Sequence, residues 1–208
     1  MSAEQRVKDL ALDLPPPPKS AGNYVPGVQV GNLLFLSGCG PQRADGSTIL
    51  GKVGIDLDGE QAYAAARVAG FAMLARIRLV TGSLDRVARV VKVLGMVNAA
   101  PDFKEQPKVI NGFSDLMVEV FGDAGRGARA AVGMAALTGQ MAVEIEMVIE
   151  LKEQPTKTPM PRSATSMSSG TKRSRCATSM ACWRSMPRMP SSRRRSSWRS
   201  SRTAPGAS

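Results

Sequence analysis

The acidic residues of this chain stop at Glu153: residues 1–154 hold 16 Lys/Arg against 17 Asp/Glu, and residues 155–208 hold 12 Lys/Arg and no acid. No other feature constrains the fold as much. A like-charged segment rich in Ser, Arg, Met and Pro, with Trp183 and Trp198 as its only large aromatics, cannot bury enough apolar surface to offset its ordering entropy. Folding therefore falls to the first 154 residues, whose net charge is −1, while the formal +11 of the whole chain belongs to the tail. The expected organisation is a short extension at 1–14, one domain at 15–153, and a disordered basic Ser/Arg-rich tail at 154–208. For the tail three readings stay open: an arm that binds nucleic acid through Arg193–Arg195 near Trp198, a solvated appendage, or the product of a reading-frame slip.

The chain has no histidine, so neither a Ser-His-Asp nor a Cys-His pair can form, and no imidazole base or His-bearing zinc site exists. Its three cysteines, Cys39, Cys176 and Cys182, make neither a disulfide framework nor a metal clamp, which fits a reducing compartment. Cys39 itself reads as a small packed residue. The first residues carry Glu4, Asp9 and Asp13 and no long apolar run, unlike a secretory signal. The most apolar stretch, Val68 to Val80, is interrupted by Arg76 and Arg78 and cannot span a bilayer. A cytoplasmic protein without a membrane partner is expected.

Hydrophobic periodicity gives the elements. Residues 3–13 predict an amphipathic helix ended by Pro15–Pro18. Val28–Val30 and Leu33–Leu36, joined by Gly31-Asn32, read as a β-hairpin; Thr48–Leu50 reads as a third strand. A helix from about Gly59 to Val80 is capped by Asp58 and followed by Gly82. Arg86 to Val97, crowded with valines on both faces, predicts an interior strand. A second helix runs from about Lys108 to Phe121, and strands at Ala128–Met134 and Met141–Leu151 complete an α+β order of β-β-β-α-β-α-β-β. Two helices cover one face of a mixed sheet. The other face keeps much apolar surface, which predicts a homo-oligomer contact.

Arg129 opens one strand and Glu144 lies fifteen residues on in the next, after a turn around Thr138–Gln140 that can bring the pair to one end of the sheet. Taken alone such a pair is a surface ion pair, Tyr24 is a half-buried aromatic and Asn111 a helix-surface amide. Several segments add to this. Ala21–Val28, Gly31-Asn32-Leu33-Leu34-Phe35-Leu36-Ser37-Gly38, Arg86–Val93, Asp102-Phe103 with Asn111, and above all Ala128-Arg129-Ala130-Ala131-Val132 through Val143-Glu144-Ile145-Glu146 resemble the signature pattern of the Rid family of YjgF-like proteins. The likeness spans almost all of residues 15–151. Gly95–Ala100 and the glycine-rich approach to Arg129 resemble a divergent, longer branch whose members often carry an endoribonuclease label. Thr138 stands where the family usually has Pro, and Ala131 where some members have Cys, so no thiol chemistry carries over.

The resemblance implies a chorismate-mutase-like fold assembled as a homotrimer, with the sheets facing inward as a barrel. It implies hydrolysis of 2-imino and enamino acids to 2-oxo acids and ammonia in intersubunit clefts, without metal or cofactor. In that reading Arg129 holds the substrate carboxylate, Glu144 handles the attacking water, and Tyr24, Ser37 and Asn111 line the pocket. A planar guanidinium suits a carboxylate, and an imine is electrophilic enough that orienting one water does most of the work. Two alternatives remain: an RNA-binding or RNA-cleaving protein, and a non-catalytic module that binds small carboxylates.

Overall fold

The computed structural model describes residues 1–153; the three readings of the tail fall outside the described residues. A helix α1 (Ala3–Asp9) leads into the hairpin β1 (Gly27–Val30) and β2 (Leu33–Cys39). Then follow α2 (Gly59–Thr81), β3 (Val87–Asn98), α3 (Gln106–Phe121), β4 (Ala128–Met134) and β5 (Val143–Leu151). The five strands form one sheet in the order β1-β2-β5-β3-β4, antiparallel except for the β3–β4 pair. The α+β class with two helices on a mixed sheet is as the sequence predicts.

Two local expectations change. The helix α1 stops at Asp9, well before the prolines, because Ala11 turns left-handed at φ 49°. It docks on the body: Val7 is buried, and the Glu4 carboxylate accepts from Arg78 Nη2 (2.7 Å) and from the Leu84 amide (2.9 Å). Thr48–Leu50 is not a strand of the sheet but an extended segment tied by single bridges, Gln42 to Thr48 and Leu50 to Met141.

The long helix α2 starts with a reciprocal cap. The Asp58 carboxylate accepts from the Gln61 amide at 2.8 Å, and the Gln61 side-chain oxygen accepts from the Asp58 amide at 2.9 Å. It ends at Gly82, whose φ of 81° suits a residue without Cβ. Small residues at helical spacing, Ala62, Ala65, Ala69 and Ala72, let it lie close to α3 and the sheet. At Gly112 of α3 the approach is closest: a Cβ there would collide with the Tyr63 carbonyl. Phe113, Leu116 and Met117 of α3 close this layer, fully buried, and each side chain contributes roughly 1.5–3 kcal/mol through burial.

Register fixes which residues share a face. Leu36, Met147 and Val93 stand in one row with Arg129, on the side of the helices; Phe35, Val148 and Lys92 stand in the next, on the open side. The open side also carries Val28, Val30 and Val132, exposed by 53, 62 and 39 %. This is the uncovered apolar face that the sequence predicts.

Candidate active site

The strands β4 and β5 are not neighbours: β3 runs between them. The turn around Thr138–Gln140 therefore does not close a hairpin, and it does not bring Arg129 and Glu144 together at one end of the sheet as the sequence reading allowed. Arg129 is level with Val93, whereas Glu144 is level with Met96. Three residue steps along and two strands across amount to about 10 Å in each direction. Alternation along β3 also puts the two side chains on opposite faces. Each lines a separate cavity.

The first cavity lies beside Arg129. Its Nη1 donates to Asn111 Oδ1 at 2.8 Å and to Ser114 Oγ at 3.0 Å, and its Nη2 donates to the Pro107 carbonyl at 3.4 Å. These acceptors recur at helical spacing along the β4-facing side of α3. They hold the guanidinium without neutralising it, since Arg129 has no ion pair among the described residues. Arg129 and Asn111 line a cavity of about 270 Å³. Ser114 is a positioning residue that the sequence reading missed; its place seven residues after Pro107 and three after Asn111 was the available signal.

Glu144 lines the second cavity, of about 420 Å³, with Tyr24, Gly38, Cys39, Gln42 and Arg76. Burial pushes the Glu144 carboxyl above the usual carboxylate range, Glu146 beside it adds to this, and Arg76 opposes it. A Cβ at position 38 would meet the Glu144 carboxylate, so glycine there lets that side chain lie against β2. The Tyr24 hydroxyl accepts from the Ala21 amide at 3.1 Å, which pins the loop over this cavity. Ser37 lines neither cavity: its hydroxyl donates to the Val25 carbonyl at 2.7 Å. Cys39 is buried as read from sequence, and burial pushes its thiol up to about 11, which keeps it protonated at neutral pH.

The structure thus brings Tyr24 to Glu144, and Asn111 to Arg129, and keeps the two pairs apart. Among the described residues no group of three or more His, Cys, Asp or Glu is placed to hold a metal ion, and no helix is long and apolar enough to cross a membrane.

A mixed five-stranded sheet with α2 and α3 on one side defines the chorismate-mutase-like class of α+β proteins. The sequence model of the family described as "YjgF/chorismate mutase-like, putative endoribonuclease" matches residues 4–144, and this chain belongs to that family. Protein TCP17 of Trypanosoma cruzi is 41 % identical over 146 residues, which is 70 % of this chain and 91 % of that protein. Among solved structures, Atu1372 of Agrobacterium tumefaciens, of unknown function, is 41 % identical with a TM-score of 0.66, covering 72 % of this chain and 94 % of its own. A Shewanella oneidensis protein given the same endoribonuclease description is 30 % identical with a TM-score of 0.70, covering 73 % and 100 %.

Proposed function

We propose that the chain assembles as a homotrimer through its open sheet face and hydrolyses 2-imino and enamino acids to 2-oxo acids and ammonia where two chains meet. The observation that carries this is the split site: a positioned, unneutralised Arg129 and a half-buried Glu144 that one chain cannot bring together. Two chains packed through the apolar face can supply one group each, and symmetry then repeats the cleft.

In such a cleft the Arg129 fork grips the substrate carboxylate by charge-assisted hydrogen bonds. That fixes the imine carbon in front of one water. Glu144 takes a proton from this water as its oxygen adds to the carbon and passes it to the nitrogen, then relays the proton of the new hydroxyl to the same nitrogen as the carbon–nitrogen bond breaks. Imino acid and water become 2-oxo acid and ammonia, with no net change in Glu144. A carboxyl held above the ordinary range suits both transfers.

The test is ammonia release from imines generated in situ by an amino-acid oxidase. Arg129→Ala is expected to lower kcat/KM by about 100-fold, the scale of losing charge-assisted contacts to the substrate. Turnover equal to wild type contradicts the assignment. The endoribonuclease wording attached to relatives supports the second reading, cleavage of RNA. Residues 1–154 have a net charge of −1, which does not favour binding to a phosphate backbone. The third reading, a sensor of small carboxylates, predicts binding that depends on Arg129 with no turnover of any imine.

A further inference from the structure

Arg76 projects from α2 into the chain's interior and is 2 % exposed, yet it lines the Glu144 cavity. Its Nη1 donates to the Ser37 carbonyl at 2.7 Å and to the Gly38 carbonyl at 2.8 Å, where the β2–β5 pairing shifts register. Those two bonds account for a structural duty, holding the irregular end of β2. They do not account for the charge. Its Nε is buried with no hydrogen-bond partner, and no carboxylate of the described residues forms an ion pair with it. Glu144 is the counter-charge that it feels, with no ion pair between them; a buried guanidinium so loosely balanced is costly, and here it borders a cavity of about 420 Å³.

The rest of the lining has the same bias. Lys19 is a second cation at this cavity, Gln42, Thr48 and Tyr24 offer neutral donors, and Glu144 is the one acid. Burial already raises its carboxyl, and an anion alongside would raise it further. The cavity is therefore suited to a small anion that takes the free side of Arg76 while Nη1 stays on the bulge.

We propose that Arg76, with Lys19 beside it, forms an anion subsite in the Glu144 cavity that selects substrates bearing a second carboxylate, the 2-imino dicarboxylic acids. The dicarboxylate form rests on the deaminase reading above, in which Arg129 takes the first carboxylate. Arg76 is then a specificity-determining residue: it grips the substrate's far end and takes no part in moving protons.

Calorimetric titration of the full chain with 2-oxoglutarate and with 2-oxobutyrate tests this, because the two products differ by a distal carboxylate. Wild type is expected to bind the dicarboxylate at least about tenfold more tightly, the scale of one charge-assisted contact. Arg76→Gln should bring that ratio near one while sparing 2-oxobutyrate; Arg129→Ala should weaken both acids and keep the ratio. A wild-type ratio near one, no binding of either acid, or an unchanged ratio in folded Arg76→Gln overturns the proposal. Should Arg76→Gln fail to fold, Arg76→Lys replaces it: losing the fork should cut the ratio at least about threefold, and an unchanged ratio overturns the proposal. Absence of ammonia release from any imine, with the dicarboxylate preference intact, sinks the deaminase reading alone.

Discussion

Arg129 and Glu144 show what a single side chain owes to its surroundings. One is a cation held by neutral acceptors, the other an acid lifted by burial. For Glu144 the sign of the pH effect is fixed. Its folded carboxyl titrates above the unfolded value, so stability present below about pH 4 is lost as pH rises through the raised value. Glu144→Gln, which cannot ionise, is expected to melt higher than wild type at neutral pH, with the gap closing in acid; thermal melts across pH read this. The catalytic reading adds that kcat/KM falls on the acid side at a pH above the ordinary carboxylate range. An acid limb at that ordinary range, unchanged in Glu144→Gln, would remove Glu144 from the chemistry. Arg76 was visible but unread: it continues the stripe Ala62, Ala65, Ala69, Ala72 at helical spacing, and a charge on that stripe must be buried.

Among the elements, those with strong local signals were legible. The Asp58 cap and Gly82 stop delimit α2, Gly31-Asn32 turns β1 into β2, and the valines of β3 demand a neighbour on each side, which β5 and β4 supply. The order of strands was not legible. A short turn after β4 looks in sequence like a hairpin, and only long-range pairing inserts β3 between its two arms. That one misplacement explains why the candidate site residues were named from resemblance while their geometry was not foreseen. The contact of α2 with α3 makes its own prediction. Gly112→Ala drives a methyl into the Tyr63 carbonyl and is expected to cost about 1–3 kcal/mol, measured by urea unfolding; Gly59→Ala, with open space at its Cβ, should change stability by less.

At the scale of the whole molecule, the exposed row of Val28, Val30 and Phe35 faces away from both helices and is the surface proposed to join chains. Phe35→Asp places a charge in that row and is expected to give a folded monomer by sedimentation equilibrium, with ammonia release lost; a trimer of undiminished activity would move the contact elsewhere. The central claim, that each cleft borrows Arg129 from one chain and Glu144 from another, has a more direct test. Arg129→Ala and Glu144→Gln chains should each be inactive alone. Coexpressed in equal amounts, they should form mixed trimers in which about a quarter of the clefts hold both native groups, and ammonia release should return to about that fraction of wild type. Mixed trimers as inactive as either parent would contradict a shared site.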